Sequence, residues 1–395
     1  MRYDLIVVGA GPAGSTLARE MSRSGASVLL LDRARFPRDK PCGGGVTVRA
    51  ARQLPFDLAP VTERTVWGAR ISLRHGAAFE RTYPHALTYM TQRRHLDAFL
   101  VEKACAEGAR FVDGLYVRSI DKEQGGFSVR GNGDAFNART IAGADGANGI
   151  VATALGLAPS EPAVALEANL PCSERVMQRW EKTVGLDLGG IPGGYGWVFP
   201  KGDHLNVGVG GWGFVGPGLR RYLSALCRQH GFEEERLHNL RGHHLPMRRP
   251  GAAIVREEGL LLGDAAGLVD PLSGEGIHTA IRSAQLAADA LRSYLAGETN
   301  SLAPYQSAVD AEIMPELAFS HQLQDVFHYT PGPYVAVLRH SGLFWRVLCR
   351  FIRGDLTYTR FRARLGPLAP LLEAWAMVAR RHWDTVERRR SGAAR

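Results

Sequence analysis

Apolar residues enter the chain as an unbroken run, Leu5-Ile6-Val7-Val8, and recur as Val28-Leu29-Leu30-Leu31. Short runs of this kind, bounded by turn residues, predict strands covered on both faces in a parallel sheet. Between them the small and apolar residues from Ser15 to Arg23 predict a helix. The pattern returns late, where Gly259-Leu260-Leu261-Leu262-Gly263-Asp264 reads as strand and turn and a helix is expected from about Gly276 to Leu295. In the intervening region the period drops to two, as in Arg70-Ile71-Ser72-Leu73-Arg74 and His204-Leu205-Asn206-Val207-Gly208-Val209. Such alternation predicts half-buried antiparallel strands. From about Leu302 strand signals fade, and helices are expected with breaks at Pro331-Gly332-Pro333, Gly354 and Pro367/Pro370.

The order of these segments makes the fold class α/β: a Rossmann-like domain with an inserted antiparallel sheet and a helical C-terminal region. The expected division is 1–60, 90–165 and 250–300 for the first, 61–89 and 166–249 for the sheet, and 301–395 for the helices. A chain of 395 residues, 45% hydrophobic, supports a core for more than one lobe.

The first turn carries chemistry. Gly9-Ala10-Gly11-Pro12-Ala13-Gly14 follows the first strand and opens the first helix. Gly9 suits the tight turn, Gly11 lets backbone approach a pyrophosphate, and Gly14 lets the helix pack closely on the sheet. The helix N-terminus holds the anion with free N–H groups. Asp32 ends the second strand, where its carboxylate accepts from a ribose. Strand, loop, helix, strand and terminal acid in this order predict a dinucleotide site. Asp264 in Gly263-Asp264-Ala265-Ala266 suits the ribityl hydroxyls of FAD, and Gly276-Ile277 start a helix whose dipole would face the flavin pyrimidine ring. Gly208-Val209-Gly210-Gly211-Trp212-Gly213 also fits GxGxxG, but Trp212 would crowd a pyrophosphate and no strand ending in an acid follows.

Charge is concentrated at one end. Residues 339–395 hold thirteen Arg against Asp355, Glu373, Asp384 and Glu387, an excess equal to the formal +9 of the whole chain. No nucleic-acid motif accompanies it. Arg346, Arg350 and Arg353 share one side of a helix whose other side is Leu343, Phe344, Val347, Leu348, Phe351 and Ile352. Such a helix lies in a membrane interface or packs its apolar face on its own protein. The most apolar long stretch, Leu365 to Ala379, contains Pro367, Pro370 and Glu373, so no span is expected. The first strand begins too early for a signal peptide. The expected location is cytoplasmic, with or without peripheral contact at the inner face of the membrane. Cys42, Cys105, Cys172, Cys227 and Cys349 are scattered without CxxC spacing, so free thiols and no metal are expected, and His243-His244 reads as an exposed turn.

Lys40-Pro41-Cys42-Gly43-Gly44-Gly45, Tyr195-Gly196-Trp197-Val198-Phe199-Pro200 and Arg353-Gly354-Asp355-Leu356-Thr357-Tyr358 resemble segments of the geranylgeranyl reductases, FAD-dependent oxidoreductases of the para-hydroxybenzoate hydroxylase fold class. Gly267 and Glu275, where hydroxylases of that class carry His and Gln, resemble the same family. The resemblance implies FAD at Gly9, Gly11, Ala13, Gly14, Asp32, Cys42, Gly43, Arg93, Val117, Asp264, Gly276 and Ile277, with Arg93 contacting the cofactor and Val117 bringing backbone to the adenine. Tyr195, Trp197 and Phe199 alternate on one face and line either a core or a substrate tunnel; Cys42 and Tyr195 are the candidate proton donors. The implied reaction saturates isolated C=C bonds of a prenyl lipid or prenyl diphosphate by hydride from reduced flavin, with electrons from NADPH or ferredoxin. The alternatives are an FAD monooxygenase and a non-catalytic flavin-containing prenyl-lipid binder.

Overall fold

The structure is a computed structural model that describes residues 2–157 and 160–392; the last residues of the region expected to be helical, 393–395, lie outside them. The buried apolar runs form the centre of an eight-stranded sheet. Gly259–Leu261, Asp134–Gly143, Arg2–Val8, Val28–Leu31 and Arg110–Val112 run parallel in that spatial order. All four residues of Val28–Leu31 are buried, as covered parallel strands require. The antiparallel strands Val117–Glu123 and Gly126–Gly131 extend the sheet from Asp134–Gly143. Helix Pro12–Arg23 starts with proline at its first turn, where a missing N–H costs nothing. The helix Ile277–Leu295 buries Ala280, Ala284, Ala287 and Ala288 in the same core.

A second sheet of seven strands runs in the order His238–Met247, Glu161–Pro171, His204–Trp212, Tyr195–Pro200, Thr183–Leu188, Gly68–Leu73, Phe79–Thr82. It is antiparallel except where Thr183–Leu188 pairs in parallel with Gly68–Leu73. One face buries Val198, Leu205, Val207 and Val209 against Leu223 and Leu226 of helix Leu219–His230. The other faces the first domain. A three-stranded antiparallel sheet of Gly45–Thr47, Thr88–Met90 and Arg64–Val66 joins the two lobes.

Among the described residues six α-helices follow, from Ala303–Glu312 and Met314–Tyr329 through Pro331–His340, Gly342–Arg353 and Tyr358–Leu365 to Ala369–Gly392. The breaks fall near the expected prolines and glycines: Gly354 ends one helix with φ +73°, and a Cβ there would press on the Arg49 side chain. The C-terminal helices close the far end of the seven-stranded sheet, where Leu338, Trp345 and Cys349 pack on Ala69 and Ile71.

Candidate active site

The two lobes and the C-terminal helices enclose one continuous cavity of about 1270 Å³, above the roughly 300–1,000 Å³ usual for one small ligand. Its polar end is backbone. Gly9 has φ +101°, and a side chain there would strike the Ala144 backbone; a Cβ on Gly14 would fall on the Gly9 carbonyl oxygen. Gly11 is open, with only the Arg93 and Arg38 guanidinium tips within 4 Å of a Cβ position. Backbone that cannot tolerate side chains beside backbone left clear under two cations fits a pyrophosphate.

Arg93, first residue of helix Arg93–Ala106, is buried and forks onto Asp97 with two 2.8 Å hydrogen bonds. Burial alone would lower its pKa, but Asp97 and Cys42 together outweigh burial and raise it. Arg38 Nη1 lies 2.8 Å from Asp97 Oδ2 yet is poorly directed and has no hydrogen-bond partner, leaving a buried donor for a ligand. Asp32 accepts from the N–H groups of Ala10 and Ala34 at 2.9 Å, which fixes its carboxylate at the cavity wall. Val117 starts its strand beside the same wall.

Asp264 pairs with Lys40 at 3.1 Å. Burial pushes the Asp264 carboxyl up, but Lys40, His243 and Arg93 outweigh it and hold the group below its usual range. A Cβ on Gly276 would lie 3.0 Å from Asp264 Oδ1, so this carboxylate sits against the start of helix Ile277–Leu295. Glu275 accepts from Thr47 at 2.5 Å and from Arg49 at 2.6 Å. Ala13, Gly276 and Ile277 also line the cavity. These residues fit FAD from the adenosine ribose to the flavin end.

Beside that end two motifs far apart in sequence press together. A side chain on Gly43 would meet the Phe199 ring at 2.7 Å, and Lys201, just past Phe199 and Pro200, donates to the carbonyls of Gly43 and of Thr91 (2.9 Å). Burial lowers the Lys201 ammonium to about 8, against the opposing pull of Cys42, Glu167 and Glu63. Cys42 Sγ accepts from the Gly44 N–H at 3.3 Å. The Cys42 N–H donates to Glu167 Oε1 at 2.7 Å.

Tyr195, Trp197 and Phe199 line the cavity with ring centroids 6.1 and 6.2 Å apart in succession. Across the sheet Tyr195 lies opposite Gly210 and Trp197 opposite Gly208. A Cβ on Gly208 would fall on the indole, so the second GxGxxG is a strand whose glycines make room for aromatic rings. The Tyr195 hydroxyl donates to the Ser273 carbonyl at 2.5 Å, and burial raises its pKa further, so its proton is committed to backbone.

The histidine pair is not an exposed turn. It lies in strand His238–Met247, and His243 faces the cavity, half-buried, with Nε2 unpartnered. Burial and then Lys40 push its imidazole down to about 4. The register explains the difference, because Ala165 and His243 pair across strands and share a face with Tyr195 and Gly210.

The other end of the cavity is apolar. Ile71, Leu186, Leu338, Trp345, Leu348 and Ile352 wall its inner part. Phe344, Leu368, Leu371 and Trp375 line it while remaining exposed, marking its mouth. The inner side of helix Gly342–Arg353 thus packs within the protein while Leu343 and Phe344 stay exposed, and Arg353 is held by Asp355 (2.8 Å) and the Ala86 carbonyl.

Comparison with known proteins agrees with this geometry. Residues 2–178 match the model of an FAD binding domain family. The chloroplastic geranylgeranyl diphosphate reductase of Oryza sativa subsp. japonica is 31% identical over 83% of this chain and 75% of its own. A geranylgeranyl bacteriochlorophyll reductase-like protein from Thermoplasma acidophilum superposes with TM-score 0.77 at 22% identity, covering 93% of this chain and 99% of that one. A flavin-dependent brominase superposes with TM-score 0.75 at 18% identity over 98% and 100%, a likeness of fold alone. The chain is an FAD-dependent oxidoreductase and belongs to the geranylgeranyl reductase family.

Proposed function

We propose that this enzyme saturates isolated C=C bonds of a prenyl chain carried by a lipid or a diphosphate. The observation that carries the reading is the continuity of the cavity: the chamber bounded by the Cys42 loop and Glu275 opens past Tyr195, Trp197 and Phe199 into an apolar channel. Bound FAD, once reduced, supplies the hydride; an external donor such as NADPH or ferredoxin supplies its electrons. The protein's own part is to align and to dry. Aromatic faces hold the chain and favour positive charge developing at the more substituted carbon. Apolar walls exclude the water that would capture that charge.

Exposed Phe344, Leu368, Leu371 and Trp375 at the mouth, with exposed Arg346, Arg360 and Arg364 on the same helical region, support entry of substrate from an anionic lipid surface. No described helix is long and apolar enough to cross a membrane.

The test is anaerobic mixing of reduced enzyme with prenyl diphosphates, prenyl quinones and prenyl glycerolipids. Flavin reoxidation should accompany a gain of two hydrogens per bond in the product mass. Absence of reoxidation with all three would overturn the reading, and oxygen consumed in proportion to product would replace it with an oxygenase.

A further inference from the structure

Saturating an alkene that no carbonyl polarises needs an acid at the reacting carbon, and this rests on the reading above. Cys42, Tyr195 and Glu167 all line the cavity, and the Cys42 N–H donates to Glu167. The Tyr195 hydroxyl already donates to the Ser273 carbonyl. Glu167 is placed by register. Trp197, Gly208 and Glu167 lie opposite one another across three adjacent strands, so Glu167 projects on the Trp197 face. A Cβ on Gly208 would lie 2.1 Å from the indole, so the Trp197 ring lies over Gly208 and reaches toward the strand that carries Glu167. Tyr195, Gly210 and Ala165 form the next row of the same face. Both Glu167 and Trp197 line the cavity.

We propose that Glu167 is the acid that protonates the alkene. In the step, the alkene π bond and the Glu167 O–H bond break. One carbon would receive hydride as the N5–H bond of the bound anionic dihydroflavin breaks, leaving oxidised flavin, and its neighbour would receive the Glu167 proton. Two C–H bonds form and a carboxylate remains, to be reprotonated from solvent after product leaves. The environment suits the task. Burial raises the Glu167 pKa, opposed by the Cys42 N–H, Lys201, Asn206 and Arg93. Cys42 and Lys40 face this part of the cavity from the glycine loop, Arg93 from its helix, and Arg241 and His243 from the edge strand, while Lys201 lies buried behind the loop. His243 is a poor alternative, because its imidazole is held neutral.

Glu167→Gln keeps an oxygen for the Cys42 N–H but has no proton to give. In single turnovers of the reduced holoenzyme it should slow alkene saturation by roughly 10²-fold or more, with KM and flavin content unchanged. Glu167→Asp should recover part of the rate. Infrared difference titration of the oxidised holoenzyme should show a protonated carboxyl persisting above the ordinary glutamate range and lost in Glu167→Gln. Turnover by Glu167→Gln within a few-fold of wild type, or no such band, would overturn the assignment. Loss of flavin from Glu167→Gln with full rate per remaining flavin would reassign Glu167 to holding the Cys42 loop. A wild-type enzyme that reduces no prenyl chain while showing the band would refute the substrate, not the buried acid.

Discussion

At the cofactor end the cavity walls are backbone and paired charge: Gly9, Gly11 and Gly14, then Arg93 with Asp97 and Lys40 with Asp264. At the mouth they are apolar side chains of the C-terminal helical region, several of them still exposed. The first end has little freedom, since a methyl added at Gly9 or Gly14 meets backbone and one at Gly43 meets a ring. The second changes shape by altering rotamers. A rigid site for one invariant cofactor and an adaptable channel for long apolar chains ask for those opposite constructions.

The largest effect expected from breaking the contrast is at Gly14. In Gly14→Ala the new methyl falls on the Gly9 carbonyl oxygen, and neither partner can swing away. The cost should be on the order of 3 kcal/mol, read as flavin-free protein with a depressed melting temperature. A methyl added at the mouth, Gly342→Ala, meets nothing within 4 Å and should leave both unchanged. Normal flavin content in Gly14→Ala would show that this end is as pliant as the mouth.

The next effect is at Asp264. Asp264→Ala removes a half-buried carboxylate and leaves Lys40 without its partner. Flavin binding should weaken roughly ten- to a hundredfold, about 1.5 to 3 kcal/mol, measured by equilibrium dialysis. The sign of the pH dependence follows from the depressed Asp264 pKa. Its stabilisation is full above the ordinary carboxylate range, about 3.9, and is lost as pH falls through the folded value.

These two sites also show what a sequence discloses. Gly9, Gly14 and Asp32 could be read because backbone geometry leaves few residue types for a tight turn, a close helix contact and a strand-end acid within 24 residues of one another. The parallel strands and late helix were legible for the same local reason. Glu167 was not, since its partner Cys42 lies 125 residues away and a lone glutamate in a strand looks like any surface carboxylate. His243 was misplaced because nothing near it reveals which edge strand it joins. The channel walls were hardest: Leu348, Phe351 and Ile352 have the pattern of a membrane-facing or core helix, and only packing shows that they bound a cavity.

The apolar end has its own pH response, which sets in only below neutral pH. His328 lies among the rings of Trp212 and Phe327 on the channel wall, and burial pushes its imidazole down to about 3. Between that value and about 6.5 the unfolded chain binds a proton that the folded chain refuses. Stability therefore falls as pH drops through this window, at most about 1.4 kcal/mol per unit. His328→Leu should flatten the decline seen in urea titrations at pH 7, 6 and 5, with little change at pH 7. An unchanged slope would mean that the channel is wet enough to charge the ring.

The smallest effect concerns the rim. Arg346 is exposed on helix Gly342–Arg353, next to exposed Phe344 and away from the Asp355 contact that holds Arg353. If the mouth meets an anionic bilayer, Arg346 should contribute about 1 kcal/mol there, near fivefold in partitioning. Arg346→Gln should reduce sedimentation with phosphatidylserine-containing vesicles by that factor at low salt, and the difference should shrink at about 1 M salt, where screening reaches only about 3 Å. Turnover of a short soluble prenyl substrate should not change, because Arg346 does not line the cavity. A rise in KM confined to diphosphate substrates would place the arginine at a substrate head group instead. Binding to neutral vesicles as strong as to anionic ones would leave Leu371 and Trp375, not charge, as the means of docking; Leu371→Ser would then lower sedimentation where Arg346→Gln does not.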